Sequence, residues 1–128
     1  MGPPAARQGD NITAIDMHLI QPPPTASPVM VPHPFSGIID GAVSLDVTIG
    51  GAAAATIGST ATNTPPHIPI GGTFVIPPTN QATITARSGS VTINGKGAAR
   101  SGDQARTCDD TGAIGGTVVA AGKVFIGD

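Results

Sequence analysis

The feature that most constrains this chain is a repeat. Residues 47–59 read Val-Thr-Ile-Gly-Gly-Ala-Ala-Ala-Ala-Thr-Ile-Gly-Ser, and residues 91–103 read Val-Thr-Ile-Asn-Gly-Lys-Gly-Ala-Ala-Arg-Ser-Gly-Asp, in ungapped alignment. Each unit is a short strand, a two-residue turn and a second block of the form Ala-Ala-x-x-Gly-Ser/Asp. Asn94-Gly95 between apolar residues is a strong hairpin signal, because both central turn positions adopt positive φ. A third copy is cut in two. The sequence opens in the second half of the unit, at Ala5-Ala6-Arg7-Gln8-Gly9-Asp10, and closes in the first half, at Val124-Phe125-Ile126-Gly127-Asp128. If head and tail meet, the three copies form a ring. The repeat units are then about 43–59, 87–103 and a split copy 3–10 plus 117–128, within a single domain 1–128. Approximate internal threefold pseudo-symmetry is expected, and such a monomer suits the axis of a true trimer, where matched contacts repeat three times.

Composition narrows the fold. The 18 Gly and 13 Pro among 128 residues are about a quarter of the chain, roughly twice average usage. They rule out long helices. Three Phe, no Trp, no Tyr and a net charge of −2 leave neither a basic cluster nor stacking aromatics for nucleic acid. A hydrophobic share of 39% and a mean hydropathy of +0.17 argue against disorder. The expectation is an all-β, loop-rich fold whose core of Ala, Val and Ile is thin enough to need a staple.

Alternating apolar residues predict strands over 43–49, 73–76, 82–86, 91–93, 117–121 and 124–126, with turn and strand over 52–57. Pro22-Pro23-Pro24, Pro28, Pro32 and Pro34 predict a stiff, irregular loop over 20–36. Val47, Ile49, Val91, Ile93, Val124 and Ile126 are expected in the core or facing a partner. Arg7 with Asp10, and Arg100 with Asp103, lie three apart; the middle copy replaces both members, with Thr56 and Ser59. Joint replacement predicts charges that pair across a tight Gly turn and fix it. The N-terminus lacks a basic n-region and an apolar h-region, and no apolar run approaches the ~20 residues of a membrane span. Synthesis in the cytoplasm is the expectation. Cys108 is the lone cysteine, so no intrachain disulfide can form.

Three segments link each Ala-Ala block to the next strand. The first carries His18 and His33, the second His67 and the third Cys108. Equivalent loops of a threefold structure converge, and Pro32-His33-Pro34 and Pro66-His67-Ile68-Pro69 are stiffened by proline. Three imidazoles and one thiolate form a closed tetrahedral zinc set. Solvated loop histidines and a buried core cysteine are the alternatives, since no short ligand pair such as Cys-x-x-Cys is present. Four protein ligands would leave no position for a catalytic water. Asp109 and Asp110, beside Cys108, are expected in a turn or in contact with a ligand rather than as a base.

Pro4-Ala5-Ala6-Arg7 is the tetrapeptide that names the PAAR family. The stretch from Gly89 to Asp103 resembles that family's core repeat, with Gly97 where proline is usual, and Thr107-Cys108 resembles its following cysteine. The resemblance covers nearly the whole chain, least so over residues 20–40. It implies a small pointed cone with a zinc-stapled tip. Such a cone caps the homotrimeric β-helical (VgrG-like) spike of contractile injection systems, chiefly type VI secretion. It further implies zinc ligands His18, His33, His67 and Cys108, no enzymatic role, transient contact with a target membrane, and delivery from the cytoplasm at the tip of the apparatus. Relatives of this kind often carry toxin extensions. Here almost nothing lies outside the repeat, so effector cargo is expected to be separate. A small zinc hydrolase and a metal-free β-solenoid module are the competing readings.

Overall fold

The computed structural model describes residues 2–23 and 26–127. Pro24 of the proline run, Met1 and Asp128 lie outside the described residues. The fold is all-β, as expected. In chain order the strands are β1 (Asn11–Gln21), β2 (Val29–Gly41), β3 (Thr48–Ile49), β4 (Ala52–Ala53), β5 (Thr60–Asn63), β6 (Thr73–Phe74), β7 (Gln81–Ile84), β8 (Thr92–Ile93), β9 (Lys96–Gly97), β10 (Gln104–Arg106) and β11 (Gly116–Val119). Six of them close a barrel in the order β11-β10-β7-β5-β2-β1, with β1 pairing back onto β11; β6 adds to the far end of β1. Every pairing is antiparallel.

The repeat forms the floor of this barrel. β3–β4 and β8–β9 are the two intact hairpins. Their turns are those the sequence predicts, with positive φ at Gly50 and Gly51 and at Asn94 and Gly95. The split copy rebuilds the third hairpin from both ends of the chain. Pro4 bridges Phe125, the Ala5 N–H donates to the Val124 carbonyl at 2.8 Å, and the Ile126 N–H donates to Pro3 at 3.0 Å.

The three copies then bond to one another in a cycle. Ala6 N–H donates to Ala99 O at 2.9 Å, Ala99 N–H to Ala55 O at 3.1 Å, and Ala55 N–H to Ala6 O at 3.0 Å. These three alanines are equivalent in the repeat, and none is exposed. The bridges Ala5–Arg100, Thr56–Ala98 and Arg7–Ala54 follow the same rotation. Side chains stack in matching tiers. Ile49, Ile93 and Ile126 pack with Ala5, Ala54 and Ala98 in one cluster. Ala6, Ala55 and Ala99 join Ile39, Ile84 and Val118 in the next. Val91 packs against the first cluster, while Val47 and Val124 are exposed.

Each copy leaves the floor through the same turn. Asp10, Ser59 and Asp103 donate their N–H to the carbonyls of Arg7, Thr56 and Arg100 at 3.0–3.1 Å. Gly9, Gly58 and Gly102 supply the positive φ (96°, 91° and 91°) that this turn requires at its third residue. The side chain of the fourth residue accepts from the N–H of the first: Asp10 from Arg7 at 3.0 Å, Asp103 from Arg100 at 2.8 Å, Ser59 from Thr56 at 2.9 Å. The acid is therefore a turn acceptor, and a serine hydroxyl serves equally. Only Arg100 pairs its guanidinium with its own Asp, at 2.9 Å. The expected pairing does not extend to Arg7, whose guanidinium reaches the carbonyls of Ile49 and Gly50 at 3.0 Å and ties the split copy to the first hairpin.

The strand expected over 124–126 is reduced to the isolated Pro4–Phe125 bridge, and two further expectations fail for identifiable reasons. Residues 20–36 are not an irregular loop, because most of them lie in β1 and β2, which pair from Asn11–Ile38 to Ile20–Val29. Pro32 and Pro34 fit because they share the register of Ser36, whose N–H points away from β1 to the Asn63 side chain. β5 ends at Asn63, so no strand on that edge asks the prolines for a hydrogen. Conversely, 43–49 is extended only at Thr48–Ile49. Ala42 takes φ +52° and the Ser44 hydroxyl accepts the Val47 N–H at 2.9 Å, turning the chain. Leu45 is consequently fully exposed.

The barrel interior is filled unequally. Ile12 occupies the position that Ala61 and Ala105 hold in the other thirds, and Phe35 fills the space above. Gly37 makes room for it: a Cβ there would lie 2.7 Å from the Phe35 ring and 3.2 Å from the Ala61 methyl. Gly37→Ala is expected to overpack this point and cost about 1–3 kcal/mol. The fall in urea midpoint at unchanged slope checks it; an unchanged midpoint would contradict the packing.

Candidate metal centre

At the end of the barrel opposite the hairpins, alternation along β1 turns Ile12, Asp16, His18 and Ile20 inward. Alternation along β2 does the same for His33, Phe35, Gly37 and Ile39. Asp16 and His33 are direct cross-strand partners. His67 arrives from the linker between β5 and β6. Its N–H donates to the Asn80 side chain at 2.8 Å, and Asn80, at φ +58°, also accepts from the Asn63 amide. Cys108 follows β10 after the single residue Thr107.

The linkers do converge. Imidazole centroids lie 4.8 Å apart for His18–His67, 5.3 Å for His18–His33 and 5.7 Å for His33–His67. Cys108 Sγ is 3.7 Å from His18 Nε2. The ligand atoms that gather tightly are those of Asp16, His18, His67 and Cys108, all within 4.8 Å of one another, and this cluster can hold a metal ion. Asp16 is at its centre. Its Oδ2 lies 2.9 Å from His67 Nε2, 3.3 Å from Cys108 Sγ and 3.9 Å from His18 Nε2. Its Oδ1 accepts from the Thr107 hydroxyl. His33 stands beside the cluster rather than in it. Its Nδ1 donates to the Val31 carbonyl at 2.8 Å and its Nε2 accepts the Ile70 N–H at 3.3 Å.

Sequence reasoning missed Asp16 because it sought only histidine and cysteine. The signal was present: Asp16 lies two residues before His18, hence on the same face of a strand. Asp109 and Asp110 act as contacts, as expected. Their carboxylates accept the N–H groups of Met17 and Leu19, both at 2.8 Å, along the free edge of β1. The Asp110 carboxylate also accepts a hydrogen bond from His18 Nδ1 at 3.0 Å, which leaves Nε2 facing the cluster. Burial works against ionising Asp109, but hydrogen bonds from Thr111 and Met17 hold its carboxyl below the usual range.

The donor set is frustrated without a cation. Burial, and then the Asp16 carboxylate, push the Cys108 thiol up to about 12. A divalent ion would relieve both burdens by accepting the thiolate and the carboxylate together. No protein-family model, curated protein or solved structure matches the chain.

Two outcomes follow for metal loading. Because the Cys108 thiol is protonated across the neutral range, each bound ion must displace at least one proton, and affinity must fall as pH falls. Calorimetry in buffers of differing ionisation enthalpy measures this, and zero proton release would contradict it. At a thousandfold excess of free metal over Kd, binding contributes about 4 kcal/mol, on the order of 10–20 °C in Tm for a domain of this size. A chelator should remove that increment, whereas an unchanged Tm would mean that the ion holds nothing together.

Proposed function

We propose that this chain is the tip of a contractile injection device: a pointed cap on a trimeric β-helical spike, with one structural zinc ion at the end away from the spike. The observation that carries this reading is the cyclic hydrogen bonding of Ala6, Ala55 and Ala99. A single chain with three equivalent edges can meet three identical spike chains with the same contact made three times. The hairpin end is the docking face in this reading. Leu45, Val47, Val124 and Phe125 are exposed on the hairpins and their approaches, and docking would cover them together with the short strand edges. Resemblance to PAAR proteins points the same way.

Zinc is favoured by the mixture of imidazole, thiol and carboxylate donors. His18, His67 and Cys108 supply three of its ligands. The role is structural rather than hydrolytic in this reading, because four protein ligand atoms fill a tetrahedral shell and leave no position for a catalytic water. The ion would tie β1, the β5–β6 linker and the segment after β10 into a rigid end that survives force. The cap would assemble in the host cytoplasm and leave with the spike, touching the target membrane only in transit. Separate effector proteins are the cargo this arrangement could carry.

Co-purification with candidate spike trimers tests the proposal. One copy of this chain per three spike chains is expected, with loss of binding when Phe125 and Leu45 are both changed to Asp. Failure to join any trimeric spike of the same host would overturn it.

A further inference from the structure

We infer that the seam between the first and second repeat copies is a seat for an arginine side chain of a partner docked on the hairpin end. The partner rests on the docking face proposed above; the seat rests on the repeat. The turns that leave the floor open with Arg7, Thr56 and Arg100 in equivalent places. Arg7 crosses its seam to the next hairpin and donates to the Ile49 and Gly50 carbonyls, both at 3.0 Å. On the second hairpin the matching carbonyls belong to Ile93 and Asn94. The residue that faces them is Thr56, which is too short to cross and donates its hydroxyl to the neighbouring Ile57 carbonyl at 3.2 Å.

A cavity of about 250 Å³ opens at this seam, with Val43, Asp46, Thr56, Ile93, Asn94 and Lys96 in its lining. It is smaller than the roughly 300–1,000 Å³ of a drug-sized pocket, which suits a single side chain. Val43 and Ile93 offer apolar wall to the methylenes of an arginine. Its guanidinium has five N–H donors to divide between the two carbonyls and the exposed Asp46 carboxylate. Lys96 opposes it with one positive charge, on an exposed side chain that can turn to solvent. The other two seams are already served. Arg7 fills one. At the other, the Ser88 hydroxyl donates to the Gly127 carbonyl at 3.1 Å, while Arg100 bonds the Arg87 carbonyl and Asp103. Ser44, the counterpart of Ser88, donates to the Asn94 side chain instead. Among the described residues no side chain donates to the Asn94 backbone carbonyl. A threefold partner brings three copies of its arginine and only one meets an open seam, so one partner chain is held differently from the other two.

Titration of the full chain with N-acetyl-arginine amide, followed by amide chemical shifts, tests the seat with no partner present. Saturable shifts at Thr56, Ile93, Asn94 and Lys96 are expected in the millimolar range, with N-acetyl-lysine amide binding severalfold more weakly. No saturable shift there, or equal binding of the lysine compound, would overturn the inference. Thr56→Arg should put the chain's own guanidinium in the seat, raise Tm and abolish the response to the probe; an unaltered response would overturn it. If that variant does not fold, Asp46→Asn, at an exposed position, carries the test. It should weaken the probe about two- to fivefold, and unchanged affinity would overturn the inference. A chain that binds the probe yet joins no spike keeps the seat and defeats only the docking reading.

Discussion

Three backbone hydrogen bonds, closed into a triangle between Ala6, Ala55 and Ala99, set the terms for the rest of the molecule. Three segments of the chain can pass so close to a common axis only where side chains are small. This explains the paired alanines in every copy: Ala5-Ala6, Ala54-Ala55 and Ala98-Ala99 are all buried. Larger apolar residues appear one tier away on either side, as Ile49, Ile93 and Ile126 below and Ile39, Ile84 and Val118 above. From the triangle each third exits through the same glycine turn into an outgoing barrel strand. The linkers therefore meet again at the opposite end, and their histidines, Asp16 and Cys108 gather there as a consequence of the floor.

The three thirds are equal at the floor and diverge with distance from it. The first third runs out through β1 and back through β2 as a long hairpin, while the second and third return over much shorter strands. Ile12 and Phe35 take the interior volume that alanines leave elsewhere, and Gly37 yields space to them. Above that level the apolar side chains thin to residues such as Ile20, which is wholly buried, and Phe74, whose ring lies against His18 and His33. Polar groups take over, every buried side-chain nitrogen and oxygen among the described residues has a partner, and the metal-binding cluster replaces the core. A short aliphatic core followed by an ion-binding cap suits a chain with so few large side chains.

Much of the floor was legible in the sequence because the repeat is ungapped and its turns are chemically explicit. Asn94-Gly95 and Gly50-Gly51 announce their own φ values, and the split copy predicts that the ends of the chain meet. Convergence of the linkers followed from their equivalence. The long β1–β2 hairpin was not legible, since prolines at 32 and 34 read as loop until the register shows that their edge has no strand partner. Residues 43–47 misled in the other direction: their alternation is strand-like, but the Ser44 hydroxyl captures the Val47 N–H and turns the chain. Arg7 could not be told from Arg100 by sequence, because the carbonyls it reaches lie 42 and 43 residues away. Asp16 escaped notice because its role depends on a strand that the prolines concealed.

Amide hydrogen exchange followed by NMR tests the central claim most directly. If the triangle organises the fold, the amides of Ala6, Ala55 and Ala99 exchange only through global unfolding, at closely matched rates, whether or not metal is bound. Rapid exchange at Ala6 while Ala55 and Ala99 stay protected would show that the split copy does not close the ring, and would contradict the account.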